Sequence, residues 1–126
     1  MHRQIQAGAL VFDQINIYNP PNSFTRVTGA LSSQFSTESL ANNATLNWPL
    51  LDGTLVLDSD ISPGFIYLNE ISTSPGFYSV RWYPDRIGFW VLSLTYTTTG
   101  VESILSYDVL PASGNSLYSG IIASFS

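Results

Sequence analysis

The sequence has no cysteine and no lysine. The first absence excludes disulfides, thiolate zinc sites and a cysteine nucleophile, and with them the small disulfide-stapled secreted scaffolds. The second leaves Arg3, Arg26, Arg81 and Arg86 as the only cations besides a single histidine, His2, against nine carboxylates and a net charge of −5. Nucleic-acid binding is disfavoured, because no basic face is available to displace counterions from phosphates. No apolar run reaches membrane-spanning length, and the stretch Ala7 to Phe12 lacks the cleavage pattern of a signal peptide, so no membrane partner and an unprocessed, cytoplasmically made chain are expected. Catalytic and metal motifs are also scarce. His2, near a terminus, is a weak foundation for a Ser-His-Asp triad or a metal site. Asp58-Ser59-Asp60 begins like a calcium loop, but Ile61-Ser62-Pro63-Gly64 follows where further oxygen ligands belong. No spacing brings any two of Glu70, Asp85 and Asp108 together as a glycosidase pair. The expectation is a protein that is not an enzyme and has no cofactor and no metal.

What the chain does have is aromatic residues at a period of two. Its 126 residues make one domain, large enough to bury roughly two-thirds of the surface of the unfolded chain. Breakers recur between short β-branched and aromatic runs, which predicts an all-β, antiparallel sandwich or barrel. The pattern predicts strands over 8–12, 14–18, 26–35, 44–50, 54–57, 64–69, 76–83, 88–97, 102–109 and 119–125. Asn19-Pro20-Pro21-Asn22 cannot continue a central strand. Asp52-Gly53 reads as a type I′ hairpin turn, and Thr98-Thr99-Gly100 as another turn. The segment Ser36 to Asn43, STESLANN, reads as a single helical turn.

The heart of the pattern is Pro75 to Tyr96, two aromatic strands joined by a Pro-Asp turn. Alternation puts Tyr78, Val80 and Trp82 on one face of the first strand, with Phe77, Ser79 and Arg81 opposite. On the second it puts Trp90, Leu92, Leu94 and Tyr96 inward, with Phe89 and Val91 outward. The next strand adds Val101, Leu105, Tyr107 and Val109, with Ser103 and Ile104 breaking the alternation. Each buried indole N–H requires a partner. In the turn, the Asp85 carboxylate is expected to accept from backbone two residues on, making Asp85→Ala more damaging than Arg86→Ala.

The runs Val27-Thr28-Gly29-Ala30-Leu31, Gln34-Phe35-Ser36, Asp52-Gly53, Pro75-Gly76-Phe77-Tyr78-Ser79-Val80, Pro84-Asp85 with Gly88-Phe89-Trp90, and Tyr107-Asp108-Val109 resemble, in that order, the immunoglobulin-like β-sandwich modules of bacteriophage virion proteins and bacterial surface proteins. The resemblance covers about Gln14 to Pro111 and departs from antibody domains in lacking their cysteine pair. It implies residues 1–13 as an N-terminal arm or edge strand, 14–111 as an antiparallel immunoglobulin-like sandwich, and 112–126 as a C-terminal strand. It also implies a virion accessory protein, a capsid decoration (cement) protein or a head or tail subunit. Its partners would be the major capsid protein or other head and tail subunits, with homo-oligomerisation in the assembly.

The ends of the chain are apolar on both faces: Ile5, Ala7, Ala9 and Val11 against Leu10 and Phe12, and Leu117, Ile121, Ala123 and Phe125 against Tyr118 and Ile122. Such strands are buried on both faces, either inside the sandwich or by strand addition to a neighbour. The candidate interface is therefore Ile5, Leu10, Phe12, Phe89, Val91, Ile121, Ile122 and Phe125. The alternative function is a carbohydrate- or receptor-binding adhesion module, with Trp48, Tyr67, Tyr83 and Tyr118 as platforms.

Overall fold

The computed structural model describes residues 2–18 and 25–111. Nine strands form two sheets: β1 (His2–Gln6), β2 (Val11–Asn16), β3 (Phe35–Ala41), β4 (Ala44–Leu46), β5 (Leu50–Asp52), β6 (Ile66–Glu70), β7 (Phe77–Trp82), β8 (Gly88–Tyr96) and β9 (Val101–Leu110). Sheet A has the order β1-β9-β8-β3-β4 and sheet B the order β2-β7-β6-β5. The all-β sandwich is therefore as expected. The succession β9-β8-β3-β4 facing β2-β7-β6 is the G-F-C-C′ and B-E-D order of a variable-type immunoglobulin sandwich. The sheets are mixed, since β1 runs parallel to β9 and β5 parallel to β6.

The aromatic hairpin joins the two sheets. β7 lies in sheet B and β8 in sheet A, so Trp82 and Trp90 meet across the interior with ring centroids 4.9 Å apart. Trp48 and Tyr107 close on the pair edge-on. Burying each such ring is worth roughly 4–6 kcal/mol of transfer free energy. All the residues expected inward on β7 and β8 are buried. The Trp90 indole donates to the Arg86 carbonyl at 3.1 Å, whereas the buried Trp82 Nε1 has no hydrogen-bond partner. β9 is unbroken: Ser103 faces inward as a small residue and Ile104 stands out at 53% exposure.

Several expectations change. Residues 2–13 are built in as strand β1 and the start of β2, linked by a crossover between sheets at 7–10 in place of a strand over 8–12. Residues 26–31 are irregular and lead into a 3₁₀ turn, Ser32–Gln34, instead of forming a strand. STESLANN is no helical turn. It is β3 and a tight hairpin into β4, with Asn42 and Asn43 at φ 52° and 66° as a two-residue left-handed turn requires. Asp52-Gly53 makes no hairpin: β5 ends there, and Asp52 Oδ1 accepts from the Thr54 backbone N–H at 3.0 Å and from its hydroxyl at 2.6 Å. Residues 54–57 are consequently loop and not strand. The Asp85 carboxylate is engaged by Arg86, at 2.6 and 2.7 Å, in place of backbone two residues on, so neither partner of that exposed pair outranks the other. The expected turn at 19–22 and strand at 119–125 lie outside the described residues.

One polar link crosses the interior. Asp13 of β2, 5% exposed, accepts a 2.6 Å hydrogen bond from the Tyr107 hydroxyl of β9 and one from Arg3 of β1. Burial, then the bond to Asp13 and its negative charge, push the Tyr107 phenol far above its ordinary range.

Candidate functional site

Among the described residues, the outer face of sheet A carries two residues of the expected interface, Phe89 and Val91, on the one strand β8. Pairing register fixes its rows. Leu40 of β3 lies opposite Val91 of β8, which lies opposite Ser106 of β9, which lies opposite His2 of β1. In adjoining rows, Phe89 lies opposite Asp108 and Ser93 opposite Ile104. Phe89 is 42% and Ile104 53% exposed, while Leu40 and Val91 are half-buried between neighbours. The charged groups among these rows are Glu38, Glu102 and Asp108, with His2 against them. The face is apolar at the centre, hydroxyl-rich around it and acidic at the rim.

Parallel pairing of β1 with β9 also aligns a Ser–His–Asp row. His2 Nδ1 lies 2.9 Å from Ser106 Oγ, and His2 Nε2 lies 2.8 Å from Asp108 Oδ2. Sequence reasoning set His2 aside as a terminal residue, and only the β1–β9 register reveals the row. Acyl transfer also needs donors aimed at the developing oxyanion. β9 sits between β1 and β8, so its backbone N–H groups serve the ladders on either side. With half of the His2 side chain and 42% of the Asp108 side chain exposed, the row has the character of a surface hydrogen-bonded contact that pins β1 to β9.

The outer face of sheet B is built in the opposite way. Arg81 of β7 points outward, yet only 10% of its side chain is exposed. It donates to the carbonyls of Gly53 at 2.7 Å and Val56 at 2.8 Å, to Asp58 at 2.8 Å, and to Asn69 Oδ1 at 3.4 Å. The 53–58 loop thus roofs the sheet through one guanidinium. Gly53 is required by close approach, since a Cβ there would fall 2.9 Å from the Arg81 guanidinium. Glu70 is likewise spent on structure, accepting from the backbone N–H of Gly29 at 2.9 Å and of Gly76 at 2.8 Å. A trough of about 430 Å³ remains beside the loop, bounded by Phe12, Gln14, Asn69, Ser72 and Arg81. The Asn69, Glu70 and Arg81 groups that line it already satisfy one another or the backbone.

The remaining expected interface residues disperse. Ile5 points into the core at 7% exposure, because β1 turns that side chain toward sheet B. Leu10 is half-buried in the crossover, and Phe12, 46% exposed, lies on β2 of the other sheet, away from Phe89. Ile121, Ile122 and Phe125 lie outside the described residues, as does Tyr118. Trp48 is committed to the interior stack, and Asp58 is the partner of Arg81. Leu40 and Ile104 were missed: the first sat in the segment read as helical, the second where alternation was read as broken.

No protein-family model matches this chain, and no curated protein matches it either.

Proposed function

We propose that this chain is a non-catalytic structural protein of a phage virion, a capsid decoration or cement subunit that binds the particle through the outer face of sheet A. The observation that carries the reading is the patch of Phe89, Val91, Leu40 and Ile104 on three adjacent strands, left uncovered while the opposite sheet is roofed by its own loop. Contiguous apolar surface of this kind is the usual mark of a contact face. The resemblance to virion sandwich modules supplies the type of partner. The adhesion reading has less support, since Trp48, its foremost platform, packs against Trp82 and Trp90.

The test is co-sedimentation with heads assembled from the cognate major capsid protein. Wild type is expected to pellet with heads, and Phe89→Glu with Ile104→Glu to stay in the supernatant with an unchanged melting temperature. Pelleting of the double variant at wild-type levels removes sheet A as the contact. Failure of the wild type to pellet removes the cement role.

A further inference from the structure

We propose that the partner of the sheet A face is a protein surface presenting arginines around an apolar side chain, and not a second copy of this chain. The inference rests on the reading of sheet A as the contact face and names the chemistry of what covers it. It begins from where the charges go. Arg3 is spent on Asp13, Arg81 on Asp58 and Arg86 on Asp85, while the Arg26 guanidinium lies 4.7 Å from the centre of the Phe77 ring. Of these, Arg3 alone belongs to a strand of sheet A, and it turns to Asp13 of β2. The carboxylates divide differently. Asp52 accepts from Thr54, and Glu70 from the backbone N–H groups of Gly29 and Gly76. Glu38 and Glu102, by contrast, stand exposed on β3 and β9, and Asp108 meets the His2 ring. Among the described residues, the outer face of sheet A therefore carries Glu38, Glu102 and Asp108 and no arginine.

Each exposed apolar side chain of the face has a carboxylate close by. Phe89 lies opposite Asp108, and Ile104 lies two residues from Glu102 on the same strand, with Ser93 between it and Glu38. Residues two apart on a strand are about 7 Å apart and neighbouring strands about 5 Å. A group seated on Phe89 or Ile104 therefore has a carboxylate within reach of one long side chain. Arginine suits both parts of that surface: its methylene stem covers apolar area, its plane stacks on an aromatic ring, and its fork takes a carboxylate through two parallel bonds. A second copy suits it poorly. Two such sheets laid face to face would bring both sets of carboxylates together with no arginine among them, and like charges so placed oppose contact. A phosphate-bearing surface meets the same repulsion.

The test titrates the full, isotope-labelled chain with the pentapeptide acetyl-Arg-Gln-Leu-Gln-Arg-amide and follows backbone amide signals by NMR. Alternate residues of an extended peptide share a face, so this probe can lay its leucine between two arginines. It is expected to shift the amides of residues 89–91 and 104–108, and acetyl-Glu-Gln-Leu-Gln-Glu-amide to leave them in place. Glu38→Gln with Glu102→Gln is expected to weaken the interaction about fivefold, as loss of rim charges does. Phe89→Ser with Ile104→Ser is expected to abolish it. No response to the arginine peptide, shifts confined to other strands, an equal response to the acidic peptide, or an undiminished response in the glutamine variant would each overturn the proposal. Concentration-dependent broadening of the free chain on this face would overturn it too, by marking a second copy as the occupant. The titration involves no capsid, so failure of the chain to pellet with heads removes the cement role and leaves this result standing.

Discussion

Two side-chain contacts of equal length sit on opposite faces of this sandwich. Arg81 meets Asp58 at 2.8 Å on sheet B, and His2 meets Asp108 at 2.8 Å on sheet A. Distance does not separate them, but surroundings do. The Arg81 side chain is 10% exposed and carries a loop on two further carbonyl bonds, whereas the His2 side chain is 50% exposed and carries no loop, its ring lying 6.0 Å from that of Phe89. One face has been closed by the chain itself through a buried cation, and the other remains bare around Phe89 and Ile104. The worth of a polar contact here follows from what it desolvates and what it holds, and the face without such a device is the one that keeps apolar side chains exposed.

The sharpest way to break that contrast is to remove the clamp. Arg81→Met keeps much of the side-chain volume but abandons the Gly53 and Val56 carbonyls and Asn69 Oδ1 under the loop. Gly53 O keeps the Val56 N–H and Asn69 Oδ1 keeps the Ser79 hydroxyl, but the Val56 carbonyl loses its donor and all the bonds to the guanidinium are lost, which is expected to cost about 3 kcal/mol, read as a lower urea midpoint with little change in slope. Limited proteolysis is expected to cut first within 53–58. A midpoint shift no larger than that of an exposed substitution would show that the loop is held by packing alone.

Between the two faces runs the Asp13–Tyr107 bond, and it makes stability depend on alkaline pH. The folded-state pKa of Tyr107 is raised above the unfolded value of 10.0, with burial the largest cause and Asp13 next. Above pH 10 the unfolded chain therefore holds fewer protons than the native state, and stability falls as pH rises. Tyr78, raised chiefly by burial, acts in the same direction. Tyr107→Phe is expected to cost about 1–3 kcal/mol at neutral pH by depriving buried Asp13 of a donor. It is also expected to flatten, without abolishing, the alkaline decline followed by urea titrations from pH 8 to 11.5. An unchanged decline would assign it to other groups.

How much of this was legible in the sequence follows from side-chain size. β7, β8 and β9 alternate large apolar residues with small or polar ones, so their inward faces could be read directly. β3 could not, because its inward positions include Thr37 and Ser39, whose buried hydroxyls have no partner, and these look polar until neighbouring strands cover them. The Asn42-Asn43 turn carried a signal, since asparagine tolerates the left-handed region. Asp52-Gly53 carried a false one: its glycine serves close approach to Arg81 and not a positive φ, a distinction that appears only once β7 is in place. The apolar face of sheet A was half legible, through Phe89 and Val91. Its other half depended on the registers of β3 and β9, and the Ser106–His2–Asp108 row depended on a parallel pairing across the whole length of the chain.

The smallest effect is expected at that row, and it sharpens the comparison from the bare side. His2→Ala removes contacts to Ser106 and Asp108 but leaves β1 held by its ladder to β9 and by Arg3 to Asp13. An exposed pair of this kind is worth about 0–1 kcal/mol, so the urea midpoint is expected to move far less than in Arg81→Met. The variant also separates a surface pair from a reactive serine. Hydrolysis of p-nitrophenyl acetate by the wild type is expected to match an equal concentration of free imidazole, and a burst of p-nitrophenol lost in both His2→Ala and Ser106→Ala would require an acyl-enzyme. That outcome would demand an oxyanion donor on a strand whose amides are committed to two neighbours, and would place chemistry on the face proposed for binding.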